Sequence, residues 1–445
     1  MKKLVVLILL LIGQQVVASE VSEHEQKPKN VILMIGDGMG PSVMKAYRMY
    51  KDNGESNVEN KTEFDHYLIG SVNTNPNDRD GNITDSAASA TAYATGIKTY
   101  NGAISVDINQ KRLETVLEIA KKHGKSTGLV ATSEINHATP AAFATHTDSR
   151  RNKLEIANQF YDNQINNQPV TDVILGGGLD FFARQDRNLV SAFQSKGYQF
   201  VSNKTQLEKV KSDSKKLLGL FAPVAMAKKW DRDENTPSLS LMTDKAIDVL
   251  SRNPKGFFLM VEGSQIDWAG HGNDIVSVLS EMEDFEAAVK TAMDFARKDK
   301  NTLVIVTADH ATGGLSLGLK ADGKAYYQWG VELLQTFKYT PFRIIELAKQ
   351  SGNLAEELKK ASQIKLTADE ITSLNKVDLT DDRTVYYVLN QLISNKTYTG
   401  WTTSGHTAVD VNLYAFGPGS NQLAGHRDNT EIGQFIMSLI STKGE

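Results

Sequence analysis

Residues 30–38 read NVILMIGDG, and this stretch decides how the rest of the chain is interpreted. Its apolar residues follow one another without alternation, which is typical of a strand in a parallel sheet that is covered on both faces. Comparable apolar runs occur at 126–132, 171–178, 256–263, 302–310 and 409–419. The sequence therefore predicts an α/β protein with a largely parallel central sheet.

Segments with helical periodicity separate these runs. In the segment that starts at residue 275, apolar residues recur at three- and four-residue steps, which indicates a helix with one buried face: Val278, Met282, Phe285, Val289, Met293 and Ala296. The alternation predicts a three-layer α/β/α sandwich, forming a single catalytic domain over residues 20–445. Residues from about 316 to 400 lack a strong strand and predict a helical, crown-like insertion over one end of that domain.

The first 19 residues have the layout of a secretory signal peptide. Lysines at positions 2 and 3 precede an apolar run at 4–12, and small residues follow at 18 and 19. This predicts a periplasmic or extracellular protein. The run is too short to span a bilayer comfortably, and no later segment approaches eighteen unbroken apolar residues, so we expect no membrane anchor.

The amino-acid composition limits the kinds of metal ligand and binding partner that the protein can have. The chain has no cysteine, so any metal ion is held by histidine, carboxylate and hydroxyl ligands, and the terminus carries no lipid on a thiol. The formal net charge is −4 and the pI is about 6.2. Without a basic stripe, nothing predicts nucleic acid as a specific partner.

Acids and histidines gather where predicted strands end, and the carboxyl ends of parallel strands share one edge of a sheet. They are Asp37, Glu262, Asp267, His271, Asp309, His310 and, before the last strand, His406. Singly, each has a structural explanation: a turn for Asp37, a helix cap for Asp309, an exposed pair for Asp267 and His271. Their joint recurrence predicts a metal centre instead.

Five segments resemble the signature segments of bacterial alkaline phosphatases, in the order of that family. They are DSAASATAYATGIKTYNGAI (85–104), HATPAAFATH (137–146), VEGSQIDWAGH (261–271), TADHATGG (307–314) and SGHT (404–407). The resemblance covers about 30–315 and 400–420, but not the insertion. It implies metal-dependent hydrolysis of small phosphate monoesters to alcohol and inorganic phosphate through a phosphoserine, with an alkaline optimum, in a homodimer.

The same resemblance implies two Zn²⁺ and one Mg²⁺ per chain. The first zinc site matches Asp267, His271 and His406. The second matches Asp37, Asp309 and His310, with Ser86 as the nucleophile that also contacts this zinc. The magnesium site matches Asp37, Thr139 and Glu262, an oxygen-only set that suits a hard cation. Arg150 matches the arginine that binds the phosphate.

The implied metal site suits the hydrolysis of phosphate monoesters, which is very slow without a catalyst. Two metal ions stabilise the attacking and the leaving oxygen of an in-line displacement, and Ser86 would lie at a helix N-terminus, which favours a phosphate. Small residues at 87–90 would leave room for metals and substrate. Helix capping alone would explain Asp85 or Ser86, but not the surrounding ligand types.

Two positions depart from the enteric members of the family. His137 replaces an aspartate near the magnesium, and Trp268 replaces a lysine of the phosphate pocket; both are expected to contact the substrate region. Two other functions remain open from the sequence. One is a phosphodiesterase of the same superfamily, and the other is a non-catalytic exported protein that binds phosphate or zinc, although Ser86 and Arg150 are intact.

Overall fold

The fold is taken from a computed structural model that describes residues 27–52, 61–79, 81–211, 213–321, 324–325 and 327–441. The predicted signal peptide therefore lies outside the described residues. Among the helices of these ranges, none combines the length and apolar character that a membrane-spanning segment needs.

A ten-stranded sheet forms the centre of the molecule. Its strands are β1 (Asn30–Gly36), β2 (Leu68–Asn73), β3 (Ser126–Glu134), β4 (Val173–Gly177), β5 (Gln199–Val201), β6 (Leu217–Leu220), β7 (Phe257–Gly263), β8 (Thr302–Thr307), β9 (Val411–Phe416) and β10 (Gly425–Asp428). Their order is β10-β2-β9-β8-β1-β7-β3-β4-β6-β5. The central strand β1 is buried at every residue, which explains its uninterrupted apolar sequence.

All pairings in this sheet are parallel except those of β9, which runs antiparallel to β8 and to β2. The reversal matters for the site. Because β9 runs backwards, the residues before it lie at the edge where β1, β7 and β8 end. His406 thus joins residues that follow the other strands.

The helices are α1 (Pro41–Lys51), α2 (Ser86–Thr95), α3 (Val116–Lys122), α4 (Ala138–Ala144), α5 (Lys153–Asp162), α6 (Leu179–Phe182), α7 (Leu189–Ser195), α8 (Lys204–Glu208), α9 (Leu239–Leu250), α10 (Gln265–His271), α11 (Ile275–Asp299), α12 (Val331–Leu334), α13 (Pro341–Ser351), α14 (Leu354–Ala361), α15 (Ala368–Asn375), α16 (Asp382–Thr397) and α17 (Asn429–Ser441). Both α9 and α11 pack together on one face of the sheet, and α3 and α4 pack on the other, with α2 and α17 beside them. The predicted three-layer α/β/α sandwich around a largely parallel sheet is confirmed.

The predicted buried face of α11 is also confirmed, because all six apolar positions are shielded from solvent. The region predicted as an insertion contains α12 to α16, and one pair of short strands joins its two ends. Ser316–Leu317 pairs there with Thr399–Gly400. Apolar residues of α13, α14 and α16 join the main hydrophobic core, so this region is packed onto the domain.

Candidate active site

Ser86 is the first residue of α2 and is 1% exposed. Asp85 caps this helix by accepting a hydrogen bond from the backbone N–H of Ala88 at 2.9 Å. Since Asp85 performs the capping, the hydroxyl of Ser86 is not needed for it. That hydroxyl lies 3.2 Å from Nε2 of His310, which places it among the predicted metal ligands.

Arg150 contacts Asp85, the residue that precedes this serine. Its Nη1 donates a hydrogen bond to Oδ2 of Asp85 at 2.9 Å, and its backbone N–H donates to the carbonyl of Gly102 at 2.7 Å. Burial acts to lower the pKa of Arg150, but the nearby carboxylates, Asp85 foremost with Asp37 and Asp267, together outweigh it and raise the pKa. The guanidinium is therefore a fixed positive charge at the N-terminus of α2, suited to a phosphate.

Asp37, Asp309 and His310 form one group whose ligand atoms all lie within 4.8 Å of one another. Nε2 of His310 is 3.5 Å from Oδ1 of Asp37 and 3.2 Å from Oδ2 of Asp309. All three side chains are fully buried. The structure thus brings together the three residues predicted for the second zinc site, against Ser86.

Asp267, His271 and His406 form a neighbouring group. Oδ2 of Asp267 is 3.3 Å from Nε2 of His271, and Oδ1 is 3.4 Å from Nε2 of His406. The rings of His310 and His406 stack with their centroids 3.5 Å apart, so the two groups of side chains are in direct contact. This is the set predicted for the first zinc site.

The tautomers of these histidines follow from their other contacts. Nδ1 of His406 is 2.8 Å from the carbonyl of Thr84, and Nδ1 of His271 is 2.6 Å from the carbonyl of Ser404. A carbonyl only accepts, so both Nδ1 atoms carry hydrogen. The two Nε2 atoms are then left facing each other at 3.1 Å with Asp267 beside them. Such an arrangement demands a cation, or in its absence a shared proton.

Asp37, Thr139 and Glu262 are the residues predicted for magnesium, and all three are fully buried. Glu262 ends β7 beside Ile35 of β1, while Thr139 lies in the first turn of α4. The carboxylate of Asp37 also has ligand atoms grouped with Glu262 and with His137. An imidazole, which the magnesium set does not include, is therefore within reach of the same position.

The oxygen atoms of the site have the environment that metal ions require. Within the described residues, six buried oxygens of the site have no hydrogen-bond partner: both of Asp37, both of Glu262, Oδ2 of Asp309 and Oγ1 of Thr139. A buried polar atom without a partner is costly, and a cation satisfies several such atoms at once. The residues present therefore fit hard and borderline cations held without thiolate.

His137 and Trp268 lie together at the edge of the site. Nε2 of His137 is 3.2 Å from Nη2 of Arg150, and its ring meets that of Trp268 edge-on at 5.5 Å between centroids. Burial, with the Arg150 cation adding to it, lowers the pKa of His137 to about 4. The imidazole is therefore neutral at physiological pH, and its buried Nδ1 has no described partner.

Gly38 is a position where only glycine fits. Its φ is +72°, and a Cβ there would lie 2.7 Å from Cα of Asp267. Its backbone N–H donates a hydrogen bond to Oδ1 of Asp309 at 3.1 Å. The turn after β1 thus fixes one ligand and passes close to another.

Burial dominates the ionisation of the carboxylates when no metal is bound. It raises the pKa of Glu262 to about 8 and that of Asp309 to about 6, and the neighbouring Asp309 adds to burial in raising the pKa of Asp37. Metal ligands must be deprotonated, so metal binding displaces these protons.

This gives a prediction about metal-free protein. From about pH 6.5 to about 8 the folded state holds a proton on Glu262 that the unfolded chain has lost, so its free energy of unfolding falls as pH rises. We expect the melting temperature with chelator to fall over this range, and that with zinc and magnesium to hold steady. Differential scanning calorimetry measures both, and Glu262→Gln should flatten the metal-free curve. A metal-free melting temperature that rises with pH would contradict this.

Two supporting residues were not found from the sequence. Asp85 was considered only as a cap, yet it also holds Arg150. Thr312 donates a hydrogen bond to Asp267 and lies 3.2 Å from Nδ1 of His310. Because its one hydrogen is used on Asp267, it accepts from His310 Nδ1–H, which frees Nε2 for a metal. Only the adjacency of Asp85 to Ser86 could have signalled the first of these.

Comparison with known proteins agrees with this geometry. Residues 28–442 match the family model described as alkaline phosphatase. Alkaline phosphatase 3 of Bacillus subtilis (strain 168) is 47% identical over 421 residues, covering 94% of this chain and 90% of that protein.

Solved structures give the same result. The cold-active alkaline phosphatase of a psychrophilic Shewanella sp. superposes with a TM-score of 0.86 at 42% identity, covering 93% of this chain and all of that one. A histidine-to-glutamate mutant of the TAB5 alkaline phosphatase, with Mg bound in its M3 site, superposes with a TM-score of 0.69 at 30% identity, covering 94% and 99%. The chain therefore belongs to the alkaline phosphatase family.

Proposed function

We propose that this enzyme hydrolyses phosphate monoesters through a phosphoserine on Ser86, with an alkaline optimum. One observation carries the proposal. Ser86 contacts His310 and directly follows Asp85, which holds the positive Arg150, and within the described residues several buried oxygens of the site have no hydrogen-bond partner. A phosphate in this space would meet the guanidinium on one side and the serine hydroxyl on the other.

The proposed metal content is two Zn²⁺ and one Mg²⁺. Asp267, His271 and His406 would hold one zinc; Asp37, Asp309 and His310, with Ser86, the other; Asp37, Thr139 and Glu262 the magnesium. When bound, these ions supply positive charge that favours the serine alkoxide and the leaving oxygen.

The protein's own groups orient the reaction. Arg150 grips two phosphate oxygens, so that phosphorus faces Oγ of Ser86. That oxygen gives up its proton and forms a bond to phosphorus, while the bond to the alcohol oxygen breaks and the alcohol leaves with a proton. Water then cleaves the serine–phosphate bond, which restores the hydroxyl and releases inorganic phosphate. Deprotonation of a hydroxyl becomes easier as pH rises, hence the alkaline optimum.

The assay compares p-nitrophenyl phosphate with bis(p-nitrophenyl) phosphate, before and after chelation. We expect preference for the monoester and loss of turnover on chelation. Preference for the bis-ester would indicate a phosphodiesterase, and inertness with metal present would indicate a binding protein.

We further propose that His137 weakens metal binding at the magnesium site and that Trp268 weakens binding of the phosphate product. His137 replaces a carboxylate with a neutral ring, which also contacts Arg150, and Trp268 removes a cation. The TAB5 alkaline phosphatase mutant supports this, because Mg is bound in its M3 site after a histidine is replaced by glutamate. We also propose that this chain forms a homodimer, as the resemblance implies, and sedimentation of metal-loaded protein tests this. Residues 1–19 are likewise proposed to direct export.

A double variant tests the two positions. His137→Asp with Trp268→Lys should strengthen inhibition by inorganic phosphate by about tenfold, since it adds a carboxylate for magnesium and a cation for phosphate. Competitive inhibition constants measured with and without added magnesium provide the readout. An unchanged constant under both conditions would refute this role.

A further inference from the structure

A second cavity lies beside the site and has no part in the reaction described above. Its volume is about 370 Å³, within the range of small-molecule sites. One side is formed by residues 225–228 and Trp268, and the other by Phe342 of α13 in the insertion. The cavity therefore exists only because the insertion packs over this end of the domain.

Lys228 is the unusual residue of this cavity. Its side chain is buried, at 6% exposure, and Nζ donates one hydrogen bond, to the carbonyl of Gln265 at 3.1 Å. The ammonium lies 5.9 Å from the centroid of the Trp268 ring and 5.7 Å from that of Phe342. Within the described residues no carboxylate comes within 4.0 Å of it. An ammonium has three N–H donors, so this one retains capacity for a ligand.

The remaining charges around the cavity are already engaged. Arg343 pairs with Glu346 at 2.6 Å. Asp231 accepts hydrogen bonds from the backbone N–H and the hydroxyl of Thr340. Of the two cations that line the cavity, Arg343 is thus paired with a carboxylate, whereas Lys228 has N–H groups left for a ligand.

The cavity is close to the phosphate-binding residues. Trp268 follows the ligand residue Asp267 in α10, and its ring contacts His137, which in turn lies 3.2 Å from Arg150. Two side chains in contact, Trp268 and His137, thus connect the wall of the cavity to the arginine proposed to bind phosphate. Two aromatic rings and the aliphatic residues 225–227 line the cavity together with Lys228, Gln265 and the charged residues whose partners are given above.

We propose that this cavity binds the alcohol part of the substrate and selects phosphomonoesters whose alcohol is an aromatic ring bearing a carboxylate. The ring would pack against Phe342 and Trp268, and the carboxylate would accept a hydrogen bond from Lys228. This inference rests on the proposed monoesterase function. It assigns the insertion a role in choosing substrates.

The test compares 4-carboxyphenyl phosphate with methyl phosphate in the metal-loaded enzyme. Lys228→Met removes the charge and keeps the length of the side chain, and it also relieves the burial that lowers the pKa of this lysine, so the variant should fold. We expect the ratio of kcat/KM for the two substrates to fall by about tenfold. Lys229→Met is the matched control, because Lys229 pairs with Glu283 instead, and the ratio should stay unchanged.

If Lys228→Met leaves the ratio of the two kcat/KM values unchanged, the proposal is overturned. This includes an equal loss for both substrates, which would mean that Lys228 acts on the phosphate itself. An equal fall of this ratio in Lys229→Met would overturn the proposal too. Failure of unmodified enzyme to hydrolyse methyl phosphate would refute the monoesterase function instead, so the two failures are distinguishable.

Phe342 supplies an independent arm of the test. It is 47% exposed, so Phe342→Ala should leave the fold intact. We expect kcat/KM for phenyl phosphate to fall by about fivefold relative to methyl phosphate, since a ring contact is lost. Tyr387→Ala, an exposed aromatic of the same insertion that does not line the cavity, should leave this ratio unchanged. Equal behaviour of the two variants would contradict the subsite.

Discussion

A Ser86→Ala variant should lose kcat/KM for p-nitrophenyl phosphate by on the order of 10⁴-fold, because the reaction loses its nucleophile. The fold should be unaffected, for two reasons given by the structure. Asp85, not Ser86, caps the helix, and alanine is the best helix former. Steady-state kinetics with matched metal content measures the loss, and circular dichroism checks the fold.

Ser89→Ala is the matched control for this variant. Ser89 lies one turn further along α2 and is equally buried, but its hydroxyl donates to the backbone carbonyl of Asp309 at 2.8 Å. We expect a loss of less than about tenfold there, since the change removes only this bond and the one that Nδ2 of Asn429 donates to the same hydroxyl at 3.1 Å, and no group that attacks phosphorus. Turnover that persists in Ser86→Ala would contradict the proposed nucleophile.

Asp37→Asn should have the second largest effect, about 10³-fold or more on kcat/KM. Asp37 is grouped both with Asp309 and His310 and with Glu262, so one substitution weakens two metal positions. Metal analysis after dialysis should find the first zinc retained and the other two ions diminished. Full retention of all three ions would exclude the bridging position.

Stability provides a second readout of the same variant. In metal-free protein the neighbouring carboxylates raise the pKa of Asp37, in addition to burial, so a neutral amide relieves their repulsion. Metal-free Asp37→Asn should therefore unfold at a higher temperature than metal-free unmodified protein at about pH 8. Asp410→Asn, on a partly exposed carboxylate outside the site, is the control and should show no such gain. A lower melting temperature for Asp37→Asn would contradict the account.

Long apolar strands were predictable from the sequence, and short or polar ones were not. The runs at β1, β3, β4, β7, β8 and β9 all become strands because burial on both faces favours mostly apolar residues. By contrast β10, with the sequence GHRD, is an edge strand whose residues are largely accessible. Likewise β5 has only three residues, and β2 mixes polar and apolar ones. Their pairing is decided by tertiary contacts that local sequence does not carry.

The site was predictable in part. Strand ends pointed to Asp37, Glu262 and Asp309, because the geometry of a parallel sheet brings such ends together. Resemblance was needed for Thr139, Arg150 and the role of Ser86, whose residue types occur throughout any chain.

Contacts made across the fold were beyond the sequence. Lys228 sits in an ordinary AMAKKW stretch, and its contact with two rings depends on α10 and α13 each bringing one ring to it. The reversal of β9, which delivers His406 to the site, also has no local signal.

The central claim is that the assembled acids and histidines make Ser86 attack phosphorus. Acid quenching of metal-loaded enzyme during turnover of p-nitrophenyl phosphate, followed by trypsin digestion and mass spectrometry of peptide 80–98, tests it most directly. The account predicts one phosphate, located on Ser86 and absent from chelated enzyme. Steady turnover with that peptide unmodified, or with phosphate on another residue, would contradict it.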